Sequence, residues 1–289
     1  MTANHSGTSS IRHRTCKSSQ VLGMESNELV QIPHSPWSVC TKWVLSLVHI
    51  PYRETNHSML FGPLVLRFRL GLFSLSERVT IPVLFRQPGQ KAIRGSTEIA
   101  TWAVLEGRDS QSYDGVLRSP RPDSSQVEEW TKHGFKLMEF YRASLIEECF
   151  QNEQLLMTFV PKALRKFPWL AKSTARWFLR RFATKYRDQS ASLEEARSSV
   201  RTIESALSDG RVYLVRETFS FADIVVAVGL SKVMLVDDAY YPVHTLIRQH
   251  FQSLSQEFEL NYPLAKAFKD RIFTEHFPHA LIRTHLNVR

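Results

Sequence analysis

No stretch of the sequence approaches the roughly 18 uninterrupted apolar residues that a membrane-spanning helix needs; the most apolar run, residues 59–75, is broken by Arg67 and Arg69. Cysteine is scarce. Cys16, Cys40 and Cys149 stand far apart, with neither a CxxC pair nor the spacing of metal ligands. That argues against a disulfide framework or a zinc site and for a reducing compartment; no metal is expected. Acid is missing from two places: none precedes Glu25, and none falls in residues 154–187, which carry nine basic residues. Removing those nine from the 37 basic residues leaves 28, equal to the 28 acidic ones, so the net charge of +9 belongs to one segment. No recognised nucleic-acid motif accompanies that segment, and nucleic acid is not expected as a partner.

The rest is ordinary for a globular protein: 43% hydrophobic and 22% charged residues over 289 positions, enough for two domains with a core each. Residues 1–26, rich in Ser, Thr and Arg, read as a disordered tail. Residues 1–23 weakly resemble a mitochondrial transit peptide but lack the apolar face of a targeting helix, so the expected location is the cytoplasm.

Residues 27–108 carry the pattern of a small α/β domain. Residues 29–32 read as a strand, and Pro36 suits the first position of a helix, where its missing N–H costs nothing, with Ser35 before it as the cap. The Ser35 hydroxyl then lies where unpaired N–H groups and the positive end of the helix dipole converge. That setting serves either a plain helix cap or an active site holding an anionic oxygen or sulfur. Cys40, Trp43, Val44 and Leu47 recur at helical spacing as a buried face, which makes Cys40 a small core residue in preference to a nucleophile. A second strand is expected over residues 48–54 and an irregular connection over 55–78. A third strand, over 80–85, starts at Pro82, where a cis Ile81–Pro82 bond can be accommodated. Turn residues at 87–90 lead into a strand over 91–93, and a helix follows over 96–106 with Ser96 as its N-cap.

Residues 109–126, dense in Ser, Asp, Pro and Gly, read as a linker. Beyond them no strand pattern competes. Helices are expected over 127–150, 170–186 and 193–207, after Ser220, and over 243–258 and 262–271. Ser220 and Asp223 form a capping box, with Phe219 and Ile224 spaced as its hydrophobic staple, and the box is structural.

Taken in order, five short motifs resemble the soluble glutathione transferase superfamily, in a serine-type, unassigned branch. They are Ser35-Pro36-Trp37-Ser38 at the first helix, Ile81-Pro82 at the third strand, Ser96-x-x-Ile99 at the next helix, the linker, and Phe219-Ser220-x-x-Asp223 in an all-helical half. The likeness covers nearly everything from Leu29 onward. It implies an α/β plus all-α chain: an N-terminal thioredoxin-like glutathione-binding domain (27–108) and a C-terminal all-helical domain (127–289). It implies glutathione as co-substrate, with Ser35 donating a hydrogen bond to its sulfur. The backbone of Ile81, ahead of Pro82, would pair with the glutathione peptide like an added strand, and Ser96 would bind the γ-glutamyl carboxylate. The implied activity is transfer of an alkyl or aryl group from an apolar electrophile, in a homodimeric detoxification enzyme.

The chemistry is sound on its own terms. A free thiol titrates near 8.5, so only a few per cent is thiolate at neutral pH. Each unit of lowering is worth about 1.4 kcal/mol, and a helix N-terminus contributes roughly 0.3–2 kcal/mol. Two departures stand out. The residue before Ser96 is usually acidic in this superfamily and holds the glutathione ammonium; here it is Gly95, which implies a weaker or rearranged site. Ser35 replaces the cysteine of thiol-transferring members and cannot form a mixed disulfide, which favours conjugation. The alternatives are a non-catalytic binding module of the same fold, or a glutathione-dependent reductase or isomerase.

Other residues carry competing readings. His34 could tune the thiol or face solvent, and Arg67, Arg69 and Lys91 could bind the glycine carboxylate or solvate a surface. In the basic segment (162–187), Lys172, Arg176 and Arg180 line one helical stripe and Ala175, Phe178 and Phe182 another. It reads first as a helix packed on the bundle with a solvated face, and otherwise as a lid or a peripheral contact with anionic lipid.

Overall fold

The computed structural model describes residues 27–278 and Leu281, apart from 34, 59–61, 75–76, 78, 88, 108–116, 118–120, 161–163, 216 and 241–242. The expected tail, His34 and most of the expected linker lie outside the described residues.

Strand β1 (Asn27–Gln31) pairs in parallel with β2 (Tyr52–Asn56) and antiparallel with β3 (Val83–Phe85), which pairs antiparallel with β4 (Ile93–Arg94). The sheet order is β2-β1-β3-β4. Register sets Leu29 opposite Leu84 and Val30 opposite Val83. Successive side chains leave a strand on opposite faces, so the two pairs part company. Leu29 and Leu84 enter the main core with residues of α1 (Pro36–Leu47) and α3 (Ser96–Gly107). Val30 and Val83 enter a smaller cluster with Val79 and with Leu66 of α2 (Gly62–Arg69). Each of these buried side chains is worth about 1.5–3 kcal/mol.

Helix α2 lies within the connection expected to be irregular. Its Leu64, Val65 and Phe68 are more than half exposed, and only Gly62 and Leu66 are buried. No apolar stripe was there for a sequence pattern to reveal. β2 begins later than expected, at Tyr52, and β3 is confined to the three residues after the cis Ile81–Pro82 bond.

The second half consists, among the described residues, of α4 (Ser125–Gln151), α5 (Glu153–Thr158), α6 (Pro168–Tyr186), α7 (Leu193–Leu207), α8 (Phe221–Val233), α9 (Thr245–Asn261) and α10 (Pro263–His276). Every residue of α8 is buried, in keeping with the apolar run from Ile224 to Leu230, and Asp223, Ser231 and Lys232 are buried with it. Helix α4 crosses it at a pair of glycines. A Cβ on Gly134 would stand 2.6 Å from the Val225 carbonyl oxygen, and one on Gly229 would stand 2.6 Å from that of Gly134. The two backbones touch there.

The halves share one core. Fully buried Trp43 of α1 packs on Phe273 and Phe277 at centroid distances of 5.1 and 4.8 Å, and its indole N–H donates to the His276 carbonyl at 2.8 Å. The expected box at α8 is present: the Asp223 carboxylate accepts the N–H groups of Leu214 and Ser220, both at 2.8 Å, and the Ser220 hydroxyl at 2.7 Å. Burial still raises its pKa, to about 6. Among the described residues no helix is long and apolar enough to cross a membrane.

Candidate functional site

Strand register collects the motifs at one edge of the sheet. The C-terminal end of β1 leads to Ser35, and β3, antiparallel to it, begins beside Val30 with Pro82 just ahead. β4 pairs Arg94 with Val83, so Gly95 and Ser96 follow at the same edge. β2 ends there too: the His57 N–H donates to the Gln31 carbonyl at 2.7 Å. The N-termini of α1 and α3 therefore both open onto the edge that carries Ser35, Ile81, Pro82 and Ser96.

At α1 the expected cap is made by backbone alone. Ser35 is extended (φ −63°, ψ 125°), its carbonyl accepts the Val39 N–H at 2.9 Å, and its hydroxyl makes no capping hydrogen bond. With Pro36 at the first position one orphan N–H is already gone. The half-buried Ser35 hydroxyl stands at the positive end of a 12-residue helix without serving that helix.

At α3 the expectation shifts by one residue. Ser96, expected as the N-cap, is the first helical residue and is buried. Gly95 holds the cap position, its carbonyl accepting the Ile99 N–H at 3.1 Å while its own N–H donates to Pro82 at 3.0 Å. The reason is conformational: Gly95 has φ +101°, a region open to glycine and costly for other residues. A Cβ added there would collide with Oε2 of Glu98. The Glu98 carboxylate thus folds back over the first turn of α3, and an acidic group stands at this helix N-terminus even though residue 95 supplies none.

The helical half reaches over the edge. The Arg142 guanidinium of α4 lies 4.8 Å from the ring centre of Trp37 and 4.2 Å from that of Tyr186 at the end of α6. It also donates to the Gln189 carbonyl at 2.7 Å, and its burial pulls its pKa down. Lys185 donates to the Val79 carbonyl at 2.8 Å, two residues before Ile81. The C-terminal end of α6 is so fastened on both sides of the edge. Beside it, β2 and α2 line a cavity of about 170 Å³ that includes His57, Asn56 and Arg69. The His57 imidazole is pushed to about 4 by burial, with the Lys185 charge adding to the effect, and is neutral at physiological pH.

Two expected candidates are committed elsewhere. Arg69 grips Glu28 through two hydrogen bonds of 3.0 and 2.7 Å, holding that carboxyl down at about 2, and it stacks on Phe85 at 3.9 Å. Arg67 donates to the carbonyls of Glu77, at 2.8 Å, and Ser74. Lys91 is exposed. Cys40 is fully buried and burial drives its thiol far up, in keeping with the core role expected of it. His57, Arg142, Lys185 and Tyr186 had no motif to announce them; only Trp37, inside Ser35-Pro36-Trp37-Ser38, was visible.

No family model matches the sequence, and no curated protein is similar to it in sequence. Solved structures are similar in fold. A glutathione transferase from Populus trichocarpa superposes with a TM-score of 0.56 at 12% identity, covering 90% of this chain and 99% of its own. A glutathione S-transferase from Methylobacillus flagellatus with bound glutathione gives 0.54 at 15% identity, with 90% and 98% covered. One from Methylobacterium radiotolerans, in complex with glutathione sulfonate, gives 0.51 at 16%, with 90% and 94% covered. The fold is that of the glutathione transferases. In a chain of glutathione transferase fold, the small mixed sheet is the thioredoxin-like part and α4 to α10 the helical part, the architecture expected from the motifs.

Proposed function

We propose that the chain is a glutathione-binding member of the glutathione transferase superfamily that activates the glutathione thiol at Ser35. The observation that carries this reading is the convergence of a Ser35 hydroxyl, unused by its own helix, with Ile81, Pro82 and buried Ser96 at one sheet edge beneath two helix N-termini. In this reading the backbone of Ile81, set by Pro82, pairs with the glutathione peptide. Ser96 and the α3 N-terminus take the γ-glutamyl carboxylate, and Glu98 supplies the acid that Gly95 lacks. The thiol proton leaves to solvent, and the thiolate accepts the Ser35 O–H and feels the α1 dipole, together worth a lowering of about one unit. The sulfur then attacks an electrophilic carbon, whose leaving group departs with the bonding pair. Trp37, half-buried beside the site, offers an apolar wall for that substrate. The enzyme acts as a homodimer.

Titration calorimetry with glutathione, followed by conjugation assays on wild type and Ser35→Ala, tests the proposal. The expected result is binding by both proteins and a loss of about tenfold or more in kcat/KM for the variant, the factor that one unit of thiol pKa represents. Retained activity in Ser35→Ala removes Ser35 from the mechanism. Absence of binding at millimolar glutathione selects the second reading, a non-catalytic module of the same fold, which Gly95 and the Arg142–Trp37–Tyr186 closure favour.

A further inference from the structure

Helix α6 is fastened at one end and bare along one side. Ala171, Ala175 and Leu179, four residues apart, face the bundle and are buried. The opposite side presents Trp169, 73% exposed, Trp177, 59% exposed, and Leu170, together with Arg176, Arg180 and Arg181; Phe167, 58% exposed, precedes them at the N-cap. Two tryptophans at this exposure on one helix face are far from the ordinary scatter of single apolar residues on a surface. Three other cations of the segment are engaged within the chain: Lys172 pairs with Glu153 at 2.6 Å, Lys185 donates to Val79, and Arg165 donates to the carbonyls of Val160 and Thr158. Arg176, Arg180 and Arg181 have no acidic partner among the described residues, and no acid lies anywhere in residues 154–187.

We propose that this face of α6 docks flat on an anionic phospholipid surface. Its 19 residues make a rod about 28 Å long, with indole rings suited to the headgroup level and guanidinium groups suited to lipid phosphates. Charge decides against the competing occupants. In a two-fold contact the same patch faces itself, which would set unpaired arginines against arginines. A nucleic acid would satisfy the arginines but leave Leu170 and Phe167 without a partner. An anionic bilayer takes both kinds of side chain at once. The inference is independent of glutathione chemistry.

The test is sedimentation of the full-length protein with phosphatidylcholine vesicles, with and without phosphatidylserine, alongside retention of a duplex oligonucleotide. Partition into the anionic vesicles is expected to exceed that into neutral ones by about a hundredfold or more and to fall as salt shortens the Debye length. Arg176→Gln/Arg180→Gln/Arg181→Gln lowers it about a hundredfold, at about fivefold per charge. Trp169→Ala/Trp177→Ala lowers vesicle binding but leaves duplex retention unchanged. Equal partition into both vesicle types, no vesicle binding by wild type, or wild-type vesicle binding by the tryptophan variant each overturns the proposal. Circular dichroism melts verify that the variants fold, and the salt series on wild type gives the charge contribution without any substitution.

Discussion

Replacing Gly95 by alanine separates two costs that the structure superimposes at one position. The first is backbone: at φ +101° a non-glycine residue carries about 1–3 kcal/mol of conformational strain. The second is steric, because the new Cβ would meet Oε2 of Glu98. That atom is the far end of a flexible, exposed side chain, which swings aside for a few tenths of a kcal/mol. The backbone therefore dominates, and Gly95→Ala should lose about 2 kcal/mol, a fall in Tm of about 4–8 °C at the 2–4 °C per kcal/mol of a chain this size. Adding Glu98→Ala should recover little, with a coupling below about 0.5 kcal/mol in the double-mutant cycle. Thermal unfolding of the four proteins measures this directly. A neutral Gly95→Ala, or a double variant that regains most of the loss, would refute the reasoning and assign the position to contact in place of conformation. By the same logic Gly95→Glu, which places an acid at the position where glutathione transferases usually carry one, should destabilise the protein and not improve the glutathione binding proposed above.

Three further outcomes follow from the same geometry. Gly134→Ala drives a Cβ into the backbone of α8, where nothing flexible can yield, and should lose about 3 kcal/mol or more by the same melts. His57, at about 4 in the fold and 6.5 when exposed, takes up its proton only in the unfolded chain between those values; stability should fall by about 2 kcal/mol as pH drops from 6.5 to 4. His57→Gln should flatten that part of the Tm–pH curve, and an unchanged curve would remove His57 as its source. Arg142→Gln takes the cation from two rings and should lower stability by about 1–2 kcal/mol.

The fold was legible where burial imposes a period. Leu29, Val83 and the helical face of Cys40, Trp43 and Val44 announce a sheet packed on a helix, and α8 announces a buried helix by having scarcely a polar face. It was illegible at α2, whose outward Leu64, Val65 and Phe68 break the link between apolar character and burial. At the site, Ser35, Pro82 and Ser96 could be read because each sits in a short motif next to a helix start. The contributions from β2, α4 and α6 could not, since Arg142 lies about a hundred residues from Trp37 and meets it only through the packing of two helices. The cap at α3 was misplaced by one residue for a local reason: serine has the right chemistry for a cap, but the chain there turns through a φ that glycine alone accepts cheaply.

The contact between Gly134 and Gly229 bears on ancestry. A side chain on Gly229 would need the space of the Gly134 backbone, and one on Gly134 would need that of Val225, so neither position admits a larger residue, and none of the atoms that would clash belongs to the edge where Ser35 lies. A descendant could exchange Ser35, whose hydroxyl makes no capping hydrogen bond, at little cost to folding while still being held to small residues at this crossing. Paired small residues where α4 meets α8 are therefore the marker by which distant kin of this chain should be sought, after the short motifs at Ser35, Pro82 and Ser96 have faded.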